Sequence, residues 1–295
     1  MKKTLFKGMA SAIITPMTPE GIDYDALGRF LEFQIAKGVN AIVVMGTTGE
    51  SATIEPEDQV KVIRYTVEKV ARRVPVIAGT GSNNTAHVLQ QVKSACEAGV
   101  DGVLVVTPYY NKATQKGLVA HFTAVADASA VPVILYNVPG RTGCNLLPKT
   151  VAELADHPNI VGIKESSGNM AQVVELMALC GDKLAVYSGE DALTVPMMAM
   201  GGSGAISVLS NVVPEQAVEM SDACLSGDFK KAAALQCRLL GLIDALFSEV
   251  NPIPVKAALS AMGYCQDCLR LPLTPMENET RENLYKQMRK LGIEL

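Results

Sequence analysis

Short apolar runs rich in β-branched residues recur along the chain. They are ASAIIT (10–15), AIVVM (41–45), PVIAG (75–79), GVLVV (102–106), PVILY (132–136), IVGIK (160–164), LAVYS (184–188) and GAISV (204–208). Several lack the alternation of a strand with one wet face, and near-continuous apolarity suits parallel strands covered on both sides. Amphipathic segments lie between them. In DALGRFLEFQIAKG, Leu27, Phe30, Leu31 and Ile35 share a helical face and Gly38 supplies the stop. In PEDQVKVIRYTVEKV, Pro56 suits a first helical position and Val60, Ile63, Val67 and Val70 form the stripe. NTAHVLQQVKSACEAG ends at Gly99 in the same manner.

The pattern also repeats. GVNAIVVMGT (38–47) echoes GVDGVLVVTP (99–108), and VPVIAG (74–79) echoes VPVILY (131–136). A unit of two β–α pairs predicts an α/β fold closed into a (β/α)8 TIM barrel, an architecture of about 250 residues. The alternative is an open doubly wound sheet. That fold carries a G-x-G-x-x-G after its first strand, and GTGSNN (79–84) does not match. After Val208 the strand signals stop, and three long helical segments follow. The expected division is a catalytic barrel over 1–224 and a C-terminal helical appendage over 225–295. The appendage is expected to serve as an oligomer interface or a buttress.

Composition narrows the function. Across 295 residues, 48% are hydrophobic and 19% charged, which indicates a globular chain. The net charge of -4 and the absence of a Lys/Arg block argue against nucleic acid and anionic membranes as partners. Seven scattered cysteines form no disulfide framework. Cys265 and Cys268 make a lone C-x-x-C without further ligands nearby, and the three histidines show no metal-binding spacing. No metal and no cofactor are expected. Lys7 interrupts the apolar start, so the opening segment reads as a first strand and not as a secretory signal. No run of about 18 apolar residues exists, and a cytoplasmic location is expected.

In a barrel of this kind the chemistry lies at the C-terminal ends of the strands. Those ends carry GTTGES (46–51), TPYYN (107–111), YNVPGRTG (136–143), Lys164, SGED (188–191) and GAIS (204–207). Lys164 closes an apolar run, and charged lysine is rarely buried without a partner. Two readings are open. It is a strand-end charge in water or paired with Glu165, or it is an amine held in an apolar pocket, where burial disfavours the cation. A neutral amine attacks a ketone and forms a Schiff base. Gly162, of the same strand parity, would leave room beneath it. Thr47, Thr48, Tyr109, Tyr110 and Tyr136 would supply hydroxyls for proton transfer, or serve as ordinary core and surface residues. Arg141 is a solvated turn charge or a carboxylate clamp.

GTTGES, TPYYN, YNVPGRTG and GIKESSG, in this order and spacing, resemble the dihydrodipicolinate synthase family, within the N-acetylneuraminate lyase superfamily of class I aldolases. The resemblance runs over essentially the whole chain. YNVPGRTG is its most specific motif, since sialic acid lyases lack the G-R-T. The resemblance implies pyruvate and L-aspartate 4-semialdehyde as substrates, with an imine on Lys164. It implies a proton relay of Thr47, Tyr136 and Tyr110, with Tyr110 reaching into a neighbouring subunit. Thr48 would hold the pyruvate carboxylate, Gly189 and Ile206 would line the pocket, and Arg141 would bind the carboxylate of the second substrate. A homotetramer, a dimer of tight dimers, is implied. The family's lysine-regulatory site would map to Ser51, Ala52, Asn83, His87 and Tyr109. That site is expected to be degenerate, because His87 replaces an acid and Pro56 and Gln59 stand in a stretch that bears histidines elsewhere. The alternatives are another pyruvate-dependent aldolase acting on a sugar acid, or a non-catalytic keto-acid-binding barrel.

Overall fold

The computed structural model describes Lys2 and residues 4–295; Met1 and Lys3 of the opening segment lie outside the described residues. Eight parallel strands close into a barrel. They are β1 (Gly8–Ala12), β2 (Ala41–Val44), β3 (Val76–Gly79), β4 (Gly102–Val106), β5 (Val133–Asn137), β6 (Ile160–Glu165), β7 (Ala185–Ser188) and β8 (Gly204–Ser207). Each pairs with its neighbours in sequence, and β1 closes the ring on β8 with Gly8 opposite Gly204 and Ala10 opposite Ile206. The connecting helices are α1 (Tyr24–Ala36), α2 (Pro56–Val70), α3 (Thr85–Glu97), α4 (Gln115–Ala128), α5 (Pro148–Leu154), α6 (Met170–Cys180), α7 (Thr194–Ala199) and α8 (Pro214–Leu225). Three more follow: α9 (Phe229–Leu246), α10 (Ile253–Ala261) and α11 (Asn278–Lys290). A two-stranded hairpin, Met17–Thr18 with Gly21–Ile22, lies between β1 and α1. The barrel and the C-terminal helical region of the sequence reading are both present, and the first of the three expected helical segments is broken into α8 and α9.

All eight apolar runs are strands, because every one is buried on both faces. The first is displaced. It begins at Gly8 and ends at Ala12, short of the expected Thr15. Ile13 N still donates to Val43 O, but Ile14 N turns to the side-chain Oδ1 of Asn211 at 3.2 Å. Asn211 in turn donates to Ala12 O at 2.9 Å and ties the loop after β8 to the end of β1. The stripe of α2 is rotated from the expected one. Val62, Ile63, Thr66 and Val70 are its buried residues. Thr66 is tolerated there because its hydroxyl donates to Val62 O at 2.8 Å. Val60 and Val67 are only half-buried. In α1, Ile35 is half-buried and its neighbour Gln34 takes the core position, donating to Asn211 O at 3.1 Å.

Side chains fill the barrel. Ala10, Ala12, Ala41, Val43, Ile77, Leu104, Ile134 and Ile206 belong to this inner cluster, together with Tyr136 and Tyr187. Small residues on β1 and β2 balance the rings contributed by β5 and β7. Near the N-terminal end, Phe6 stacks on Tyr187 with ring centroids 4.3 Å apart, and the Tyr187 hydroxyl donates to Phe6 O at 2.8 Å. Burial holds that phenol well above the usual tyrosine range, which keeps it a donor. Tyr187→Phe keeps the ring and strands the Phe6 carbonyl. The expected loss is about 1–3 kcal/mol, seen in urea unfolding as a lower midpoint with an unchanged slope.

Candidate active site

Lys164 is the penultimate residue of β6 and points into the barrel, in register with Tyr136 on β5 and Tyr187 on β7. It is 6% exposed. Its Nζ lies 4.3 Å from the centroid of the Tyr136 ring, a cation–π distance. Glu165 does not pair with it. Strand alternation turns Glu165 away from the interior, where it accepts from Asn137 Nδ2 at 2.9 Å and from Ser167 N at 2.6 Å. The reading of Lys164 as one half of a pair with Glu165 is therefore excluded, as is a head group in open water.

The space around the amine comes from an unexpected residue. A Cβ on Gly162 would approach Ala185 O to 2.8 Å and the Tyr187 ring to 3.2 Å, so Gly162 makes room for β7 and not for the lysine. At Gly189 a Cβ would fall 2.7 Å from Lys164 Cε and 1.8 Å from Ser166 Oγ. Only glycine at the end of β7 lets the Lys164 chain extend to the mouth.

A narrow cavity of about 40 Å³ lies over the amine, lined among others by Thr47, Thr48, Tyr136, Arg141, Lys164 and Gly189. Six residues singled out in the sequence thus meet at one place, from the ends of β2, β5, β6 and β7. It adjoins a groove of about 570 Å³ that shares Thr47, Val138, Arg141 and Asn251 and adds Tyr109, Ser51 and Ala52. Thr48 is buried and its Oγ1 accepts from Asn251 Nδ2 at 3.0 Å. Arg141 sits on a single helical turn, Pro139–Thr142, closed by Gly143 in the left-handed region. Its guanidinium is largely exposed and donates to Asn251 O at 3.3 Å. Most of its donors remain open to an anionic ligand.

Other expected residues lie apart. Ile206 is fully buried two residues deeper along the wall that ends in Val208, and Val208 is the residue that lines the cavity. Tyr110 does not line the Lys164 cavity. It is 86% exposed and holds φ +73, with its N–H on Thr142 O at 3.3 Å. His87 lines a separate cavity of about 490 Å³ with Pro56, Gln59 and Thr80. Asn83 is at its edge in sequence, its carbonyl accepting from Asn111 Nδ2 at 2.9 Å.

Three positions at or beside the cavity were not singled out in the sequence reading. Glu190 lines the cavity, and burial, reinforced by the Asp191 carboxylate, holds it above the ordinary glutamate range. Asn251 comes from the C-terminal helical region, which therefore builds part of the site and is more than a buttress. Lys256 on α10 forms a buried ion pair with Glu50. The signal for Lys256 was the one that singled out Lys164, a lysine inside an apolar run, here PIPVKAAL (252–259).

The model of the Dihydrodipicolinate synthetase family matches residues 5–291. The chain belongs to that family. The 4-hydroxy-tetrahydrodipicolinate synthase of Geobacter sulfurreducens is 52% identical over 97% of this chain and 98% of its own. The dihydrodipicolinate synthase of Acinetobacter baumannii, solved in complex with pyruvate, superposes with a TM-score of 0.96 at 42% identity, covering 98% of this chain and 100% of that one. The lysine-bound enzyme of Cyanidioschyzon merolae superposes with a TM-score of 0.95 at 38% identity, over 99% and 100% of the two chains. Membership of the dihydrodipicolinate synthetase family agrees with an interior lysine at the end of β6 and an arginine on the turn after β5.

The cysteines stand outside this chemistry. All seven are free. Burial pushes the Cys180 thiol up to about 11 and the Cys265 thiol up to about 12. Both therefore stay protonated at pH 8. A disulfide reagent added to native protein at pH 8 should label exposed Cys237 first, and Cys180 and Cys265 only after denaturation; peptide mapping of the labelled sites checks this.

Proposed function

We propose that the chain condenses pyruvate with L-aspartate 4-semialdehyde through a Schiff base on Lys164, giving 4-hydroxy-tetrahydrodipicolinate for diaminopimelate and lysine biosynthesis. The observation that carries this reading is the buried Lys164 amine, free of any carboxylate partner, facing a cavity that Tyr136, Thr47 and Arg141 share. The activity named for close relatives and the pyruvate seen in one structural neighbour support it.

The reaction then runs in these steps. The Lys164 amine adds to the keto carbon of pyruvate, and loss of water leaves the protonated imine. Thr48 holds the pyruvate carboxylate. Removal of a methyl proton gives the enamine, whose carbon attacks the aldehyde of the second substrate. Tyr136, Thr47 and Tyr110 carry protons among the carbinolamine, the imine and the new alkoxide. The amino group of the condensed product then attacks the imine carbon and displaces Lys164, closing the six-membered ring and freeing the enzyme. Arg141 binds the carboxylate of the semialdehyde, a bidentate role that lysine would not fill.

Tyr110 fits a relay that spans two chains. An exposed tyrosine in the left-handed region costs backbone energy, and such strain persists at functional sites. We place it in the active site of a second copy within a cytoplasmic homotetramer built from tight dimers. Residues 1–224 form the barrel and residues 225–295 the helical region that completes it.

Borohydride with pyruvate is expected to leave a reduced pyruvyl group on Lys164 and abolish activity. An adduct on another lysine, or none, refutes the imine. Arg141→Ala should keep that adduct while lowering turnover with aspartate semialdehyde at least a hundredfold, on the order of 3 kcal/mol. Turnover of sialic acid by the wild type would favour a sugar-acid lyase instead.

Regulation is the second outcome. The cavity that holds His87 has no acidic side chain in its lining. Two acids line the adjoining groove, but Glu50 is tied to Lys256, and Glu55 is exposed before α2. A lysine ligand thus loses a charge-assisted contact worth about 2–3 kcal/mol, or roughly 30–150-fold in affinity. An L-lysine titration should give little inhibition below the millimolar range. Half-inhibition at sub-millimolar lysine shows that the missing acid is dispensable.

A further inference from the structure

Among the described residues two lysines are buried, Lys164 and Lys256. Lys256 is not in the barrel interior. It projects from α10 to Glu50, with Nζ and Oε1 2.5 Å apart and the side chains 0% and 1% exposed. The same Nζ donates to Cys268 O at 2.5 Å. The second carboxylate oxygen, Oε2, accepts from Arg270 N at 3.2 Å, and Arg270 Nη1 donates to Thr53 O at 2.9 Å. Residues 268–270 are therefore strapped over the loop that follows β2, and the strap is fastened at Glu50.

That loop carries Thr47 and Thr48. Glu50 N donates to Thr47 O at 3.1 Å, Gly49 N to Gly46 O at 3.1 Å, and Thr15 Oγ1 to Gly49 O at 2.7 Å. Glu50 has φ +56, a left-handed conformation that a glutamate avoids and that persists only where its surroundings impose it. Here the surroundings are the backbone hydrogen bonds of the loop and the contacts of the carboxylate with Lys256 and Arg270. A buried ion pair is a poor device for stability, since desolvation offsets much of the attraction and apolar packing of equal volume does as well. What distinguishes this pair is what it joins: through the ammonium and the two carboxylate oxygens, α10 and residues 268–270 are tied to the loop after β2.

We infer that Glu50 and Lys256 are positioning residues, a buried pair that sets the Thr47-Thr48 turn for the pyruvate carboxylate. Neither residue lines the cavity over Lys164. The inference rests on the assignment of Lys164 and Thr48 to pyruvate given above. It separates two contributions of the C-terminal region: Asn251 reaches the cavity directly, and Lys256 acts through Glu50.

The test compares wild type with Lys256→Met, the charge-free double variant Glu50→Gln/Lys256→Met, and Glu50→Asp, which keeps the charge and shortens the arm. Two quantities are read on the full-length protein. One is the pyruvate concentration that half-saturates borohydride tagging of Lys164; the other is the maximal tag per folded chain. Positioning predicts that half-saturation rises about tenfold or more in each folded variant while the maximal tag stays at the wild-type level. A merely structural role predicts an unchanged half-saturation with fewer taggable chains, and that result overturns the inference. If Lys256→Met does not fold, Glu50→Asp decides on the same criterion. Absence of any tag on wild-type Lys164 overturns the pyruvate assignment and this inference together; a tagged wild type with unshifted variants overturns this inference alone.

Discussion

In a closed parallel barrel every strand spends its backbone hydrogen bonds on two neighbours, so nothing in the interior is left to satisfy a charge. A polar head can be accommodated only where the strands end. The chemistry of this protein follows from that restriction. Lys164 stands on the penultimate residue of its strand, with its stem along an apolar wall and its amine at the first level where loops begin. Deeper in the barrel the residues are Ala10, Ile77, Leu104 and Ile206, and the Tyr187 hydroxyl is satisfied by the carbonyl of Phe6.

The two buried lysines show one residue type in opposite surroundings. Lys256 is surrounded by acceptors, a carboxylate and a carbonyl, and its charge is used up in holding a loop. Lys164 has a tyrosine face beside it, and its neighbouring glutamate is bonded to Asn137 and Ser167 on the far side of the sheet. Burial alone does not distinguish a reactive amine from a structural one. The distinction lies in which partners the backbone alternation permits: Glu165 follows Lys164 by one residue and so can never share its face.

The eight strands were legible because burial on both faces leaves an unbroken apolar run, and the closed topology because those runs recur with helices between them. The site was legible as far as it lies at strand ends close in sequence to such runs: Thr47, Thr48, Tyr136, Arg141, Lys164 and Gly189. The parts that were not legible depend on contacts between distant segments. Asn251 meets Thr48, and Arg270 meets Glu50, across some two hundred intervening residues. No local pattern encodes such a meeting. The misplaced role of Gly162 has the same origin. Strand parity shows that it faces inward, but only the register with Ala185 reveals which neighbour needs its missing side chain.

The stopper at the closed end of the barrel has a consequence for how the chain reaches this state. Phe6 is synthesised 181 residues ahead of its partner Tyr187. At about 5–20 residues per second, the first strand waits roughly 10–40 seconds for the ring it must complete. Until then its flank toward β8 is an open apolar edge, of the kind that pairs with other chains. Contacts of such long separation also slow closure once synthesis ends. The Phe6–Tyr187 contact is therefore among the last that the growing chain can make.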